Sequence, residues 1–146
     1  MLLKLLVLLV VLLMFPVLAS AEVMTVSFSG TEMRSAPNAM ASKVVIRLSP
    51  YSLLKVLEKG SEYFKVNDYR GRTGWVHHSF LKAATGVVIT GDRANVRQGS
   101  GTNHAVIFQL SKGDTCRFLS KEEKWLEIQT NDGRKGCVAA FLTWGQ

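Results

Sequence analysis

Histidine, proline and cysteine are scarce in this 146-residue chain, with three, three and two copies, and each shortage excludes something. The histidines cannot assemble a metal centre. His77 and His78 are strand neighbours expected to point to opposite sides, His104 reads as an exposed loop residue, and no ligand set converges with them. A helical stripe of useful length is missing between Glu22 and Gln146, which excludes a bundle. The net charge is +7, yet the basic residues are spread along the chain with no dense run. That distribution argues against a nucleic-acid face and for a solvated basic surface or an anionic partner.

The one long apolar run lies at the start, from Leu5 to Leu18, after a single Lys4 and before Ala19-Ser20-Ala21. A positive start, an apolar stretch short for a bilayer and a small-residue exit read as a secretory signal, cleaved after Ala21. An uncleaved anchor is the alternative, but no basic stop-transfer cluster follows. No cysteine lies near the exit, so a lipid anchor lacks its acceptor. The mature chain is therefore expected to be periplasmic or secreted, meeting the membrane only transiently through this signal. Lys4 is the sole charge removed, which leaves +6.

What is present after Ala21 is repetition. Leu48 to Val76 matches Leu110 to Val138 at a constant shift of 62 residues. Tyr63-Phe64-Lys65-Val66 faces Trp125-Leu126-Glu127-Ile128, and Gly71-Arg72-Thr73-Gly74 faces Gly133-Arg134-Lys135-Gly136. Upstream the shift is 63, pairing Met33-Arg34 with Val96-Arg97; downstream it is 61, pairing Phe80-Leu81 with Phe141-Leu142. Such slips are what differing loop lengths produce. The expected division is residues 22–82, a linker at 83–86, and residues 87–146; the linker is short and lacks proline, so the units should touch.

Within each copy the local period is two, as in Val44, Ile46, Leu48 and in Val106, Phe108, Leu110. This predicts half-buried strands. Asn131-Asp132-Gly133 between strands predicts a tight hairpin, because glycine accepts the positive φ of such turns. The fold class is all-β, with five or six short strands per copy suited to a small closed barrel.

Each half resembles a bacterial SH3 domain. The first copy carries the pattern as Met33-Arg34-Ser35-Ala36-Pro37, Tyr63-Phe64-Lys65-Val66 and Gly71-Arg72-Thr73-Gly74-Trp75-Val76, ending in Phe80-Leu81. The second carries it as Asn95-Val96-Arg97-Gln98-Gly99, Lys112-Gly113, Trp125-Leu126-Glu127-Ile128 and Asp132-Gly133-Arg134-Lys135-Gly136-Cys137-Val138. Ala36 stands where glycine is usual, Ser100 replaces the proline and Cys137 the tryptophan, which weakens the second copy as a ligand site more than as a fold. The resemblance implies two SH3-like barrels in tandem that bind without catalysis. Expected partners are a cell-wall (peptidoglycan) peptide or an envelope protein, with no cofactor.

Tyr63, Trp75 and Trp125 offer rigid aromatic faces, with His77 beside them as donor or acceptor and Arg34 and Arg72 as attractors of carboxylates. For the aromatics, Phe80 and Phe64 included, packing in the barrel or hairpin is the competing assignment. Val66 and Val76 claim the inward face of their strands, which turns Trp75 outward toward a ligand or toward the other barrel. Catalysis by a Cys137–His77 pair is not expected: both occupy hairpin positions, and the repeats take up the chain after residue 21, leaving no stretch for a peptidase domain.

A Cys116–Cys137 disulfide stays open on sequence grounds. Export permits it. The strand around Trp125 should lie between the two, so two inter-strand steps give roughly 9 to 10 Å against a limit of about 7 Å, though barrel curvature shortens such a span.

Overall fold

The computed structural model describes residues 21–146; the predicted signal lies, but for Ala21, outside the described residues. Fourteen strands follow. They are β1 (Val23–Val26), β2 (Thr31–Arg34), β3 (Val44–Leu48), β4 (Leu53–Lys59), β5 (Tyr63–Asn67), β6 (Thr73–His77) and β7 (Leu81–Ala83), then β8 (Gly86–Ile89), β9 (Arg93–Arg97), β10 (Val106–Ser111), β11 (Thr115–Glu122), β12 (Trp125–Gln129), β13 (Lys135–Ala139) and β14 (Thr143–Trp144). Short 3₁₀ turns, His78–Phe80 and Ala140–Leu142, precede β7 and β14.

The sheet orders are β3-β2-β6-β5-β4-β1-β7 and β10-β9-β13-β12-β11-β8-β14. Adding seven to each strand of the first yields the second, so the repeat read from residue spacing is a repeat of topology. Both copies even bulge at equivalent places. Register slips between Val56 and Glu58 and between Phe118 and Ser120, and again across Val45 and Ile107 on the edge strands. A bulge adds a residue without a cross-strand partner and reverses the side-chain alternation beyond it. This explains why Val44, Val45, Val106, Ile107 and Leu57 are exposed although the alternation predicted Val44 and Val106 to be half buried. Ile46 and Phe108 pack against their cores as expected.

Each unit has its own core. Val26, Met33, Leu48, Leu54, Val66 and Val76 anchor the first, and Ile89, Val96, Leu110, Cys116, Ile128 and Val138 stand at equivalent places in the second. The hairpins close as predicted: Gly71 and Gly133 sit at φ +82° and +91°, each donating its N–H to the residue three before it.

The units meet in a packed junction. Only Ala84 and Thr85 separate β7 from β8, and both backbone groups of Thr85 are engaged, its N–H by Thr25 Oγ1 at 2.9 Å and its carbonyl by Phe118 N at 2.8 Å. Leu53 and Val88 are fully buried yet belong to neither core; they face one cleft between the units. Thr115 Oγ1 donates to the Pro50 carbonyl at 2.7 Å. Gly86 lies so close to Tyr51 that a Cβ there would stand 2.3 Å from the Tyr51 carbonyl oxygen.

Candidate functional site: an aromatic groove on the first unit

Strand alternation sorts the predicted residues. On β5, Phe64 and Val66 turn toward the core, which leaves Tyr63 and Lys65 on the outer face. On β6 Val76 is buried, leaving Trp75 and His77 outside; on β2 Met33 is buried, leaving Glu32 and Arg34. Tyr63 stands directly opposite His77, and Trp75 lies between Lys65 and Arg34. Five of these outer residues therefore form one surface across β2, β6 and β5, with Trp75 outward as predicted.

A groove of about 350 Å³ opens on this surface. Four aromatic rings run along it. Tyr63 meets His77 edge to face, with centroids 5.1 Å apart; His77 lies 5.8 Å from Phe80; and Phe80 meets Phe28 edge to face at 6.2 Å. Glu32 and Arg34 close the polar side. Phe28 and Phe80 are 60% and 40% exposed, a large apolar area left to water. Phe80 thus lines the groove and is no core residue, while Phe64 packs on the core, so packing wins for one and loses for the other.

His77 is held in one orientation. Its Nδ1 accepts the Ser79 N–H at 3.3 Å and lies 2.7 Å from Ser79 Oγ. With Nδ1 an acceptor, the neutral ring carries its proton on Nε2, which is left to donate. The expectation that His77 and His78 point to opposite sides is corrected: their rings stack at 5.0 Å. The strand ends at His77 and a 3₁₀ turn begins at His78, so the two-residue alternation no longer applies. Among the described residues no three His, Cys, Asp or Glu side chains gather as metal ligands.

The remaining predicted residues are placed differently. Arg34 is beside the groove, but its guanidinium folds the following loop, donating to Ser42 Oγ at 2.7 Å and to the carbonyls of Ala39 and Ser42 at 2.9 and 3.1 Å, and pairing with Glu32. Its counterpart Arg97 does the same with the carbonyls of Thr102 and His104. Arg72 is at the far end of the β5–β6 hairpin, five residues or roughly 17 Å along the strand from His77 of the Tyr63–His77 pair. There it pairs at 2.6 Å with buried Asp68 and lines the junction cleft. Trp75 is half buried and flanks the groove without lining it; a Cβ on Gly60 would come within 3.9 Å of its ring, so the indole leans on the β4–β5 turn of its own unit. Trp125 belongs to the second unit, opposite Ala139.

The two thiols are free. Cys116 is in the second core on β11, whereas Cys137 on β13 turns outward, beside Ser100 Oγ at 3.7 Å, and β12 runs between them. The bridge left open by the sequence is therefore not formed. Burial pushes the Cys116 thiol up to about 12, with Asp114 adding to the effect.

Missed on the sequence was Phe28, which reaches the groove from the turn between β1 and β2. Its only signal was a bulky aromatic in a polar turn, with Gly91 at the corresponding place in the second copy.

Two repeated barrels, each with its own core, and an exposed aromatic groove on one of them define a tandem-barrel protein built to present a surface. The chain belongs to the bacterial SH3 domain family, whose pattern it matches over residues 29–82 and 92–142. Domains of this family are non-catalytic and typically bind cell-wall components. Over 65 residues the chain is 35% identical to a putative N-acetylmuramoyl-L-alanine amidase, YrvJ, of Bacillus subtilis, a match covering 44% of this chain and 12% of that protein. Over 60 residues it is 32% identical to a probable cell wall amidase, LytH, of Staphylococcus epidermidis, covering 40% of this chain and 21% of that one. The chain thus matches only a small part of either relative. Among solved structures, NlpC2 from Trichomonas vaginalis aligns with a TM-score of 0.40 at 10% identity, over 87% of this chain and 49% of that one. An NlpC/P60 family protein from Bacillus cereus aligns at 0.38 and 12% identity, over 83% and 55%.

Proposed function

We propose that this protein is a non-catalytic binding module of the bacterial envelope that recognises a peptidoglycan peptide in the aromatic groove of its first unit. One observation carries this: two of the four rings that line the groove are present in the first copy alone. Where the first unit has Phe28 and His77 in the groove wall, the second has Gly91 and Ala139, and Cys137 replaces the flanking Trp75, while Trp125 and Phe141 stand in the places of Tyr63 and Phe80 and the cores and the topology are kept. A scaffold needs no such asymmetry, because barrel stability resides in the core. An exposed aromatic wall with a fixed imidazole donor suits a ligand with apolar faces and amide carbonyls.

Residues 1–21 serve in this reading as a signal cleaved to leave Glu22 first, with residues 22–82 and 87–146 as the two modules of a periplasmic or secreted protein. The relatives named as amidases, which match over a small share of their length, support the peptidoglycan assignment. The test is co-sedimentation with purified, protein-free sacculi. The wild-type chain is expected to pellet and to release no soluble fragments; failure to pellet would favour the second reading, docking onto an envelope protein through the same groove.

A further inference from the structure

The junction between the units holds a second cavity, of about 340 Å³, whose walls come from both barrels. Its floor includes Leu53 and Val88, and its rim carries four cations, Arg47, Arg70, Arg72 and Lys112, against the carboxylates of Asp68 and Asp114. Two of the cations already have carboxylate partners, Arg72 in Asp68 at 2.6 Å and Arg47 in Glu32 at 3.1 Å, the latter shared with Arg34. Asp114 is engaged by the Ser111 N–H at 2.8 Å. Arg70 and Lys112 have no carboxylate within 4 Å among the described residues.

Arg70 is also aimed. Its backbone N–H donates to Asp68 Oδ1 at 3.0 Å, and its Nε donates to Tyr69 Oη at 2.8 Å, which leaves the two Nη groups without a hydrogen-bond partner among the described residues. Tyr69 Oη and Arg70 Nη2 would lie 2.7 and 3.6 Å from a Cβ on Gly113, the residue after Lys112. The unpaired guanidinium of one unit and the unpaired ammonium of the other are thereby brought to one cleft over an apolar floor. A planar guanidinium end with free N–H groups beside a point cation is suited to an oxyanion.

We propose that this cleft is a separate binding site for an oxyanion-bearing ligand, a carboxylate or a phosphate ester, held between Arg70 of the first unit and Lys112 of the second. The site is independent of the aromatic groove, which lies at the other end of the β5–β6 hairpin. Because its two cations belong to different units, occupancy ties the barrels together.

The experiment is an amide chemical-shift titration of the full chain with citrate and, separately, pyrophosphate. Saturable shifts are expected at Arg70, Lys112 and Thr115, weakening as salt is added. Arg70→Ala and Lys112→Ala, both at exposed side chains, should each weaken binding at least tenfold with the melting temperature unchanged, while Tyr63→Ala should leave it intact. Tighter binding of pyrophosphate assigns a phosphate ligand, and tighter binding of citrate a carboxylate. Shifts that fail to saturate, or that persist unchanged in the Arg70→Ala and Lys112→Ala variants, would overturn the proposal.

Discussion

The ring of Tyr63 stands edge-on to the ring of His77, with centroids 5.1 Å apart, directly across the β5–β6 ladder. The pair is on the outer face, so its loss should cost binding and spare the core. Tyr63→Ala and His77→Ala are each expected to weaken sacculus binding by about 2 kcal/mol, some thirtyfold, with melting temperatures close to wild type. Trp75→Ala should show the reverse balance, losing about 1 kcal/mol of stability because the indole leans on the Gly60 turn. Equal binding losses without destabilisation in all three variants would place Trp75 inside the site.

Asp68 is buried and ties the β5–β6 turn together, accepting from the backbone of Arg70 and Arg72 and from the Arg72 side chain. Asp68→Ala leaves two turn N–H groups and a guanidinium without their partner. Chemical denaturation should show a loss of about 2 to 3 kcal/mol. Asp68→Asn, which keeps an acceptor, should lose less.

The buried Cys116 thiol titrates near 12 against an ordinary value of 9.0. A group whose folded value is raised contributes stability fully below its unfolded value and loses it as pH rises toward the folded one. Between pH 9 and 12 the native protein should therefore lose up to about 4 kcal/mol through this residue. Stability measured across that range in wild type and in Cys116→Ala should diverge, with the variant's curve flatter. Below pH 9 Cys116 should also resist alkylation until the second unit unfolds.

Gly86, at the start of the second unit, packs directly against the backbone of the first. A side chain there meets the Tyr51 carbonyl, a backbone atom that cannot swing aside. Gly86→Val should cost about 1 to 3 kcal/mol and loosen the junction while both barrels persist. Strand content by circular dichroism should be unchanged as the small-angle scattering radius increases.

The residues legible in advance were those governed by local period. Val66 and Val76 had to turn inward because alternation on neighbouring strands leaves one face for the core, and Trp75 followed outward. Where the period broke, the expectation broke with it: bulges put Val44 and Val106 in solvent, and the 3₁₀ turn at His78 swung its ring against His77. Arg34 and Arg72 looked alike as exposed cations. One was taken up by its own loop and the other by Asp68, because a hydrogen-bond acceptor brought near by chain folding leaves no mark in residue spacing.

The sequence by itself determined that there are two units, that both are barrels, and that Val66 and Val76 turn inward, because repetition and alternation are properties of order along a chain. Tertiary structure alone decided that Phe28 completes the groove from a distant turn, and that Arg70 and Lys112 share a cleft. Those meetings depend on how β1 carries its turn to β6 and how two finished barrels pack, and both are set by contacts between segments far apart in the chain.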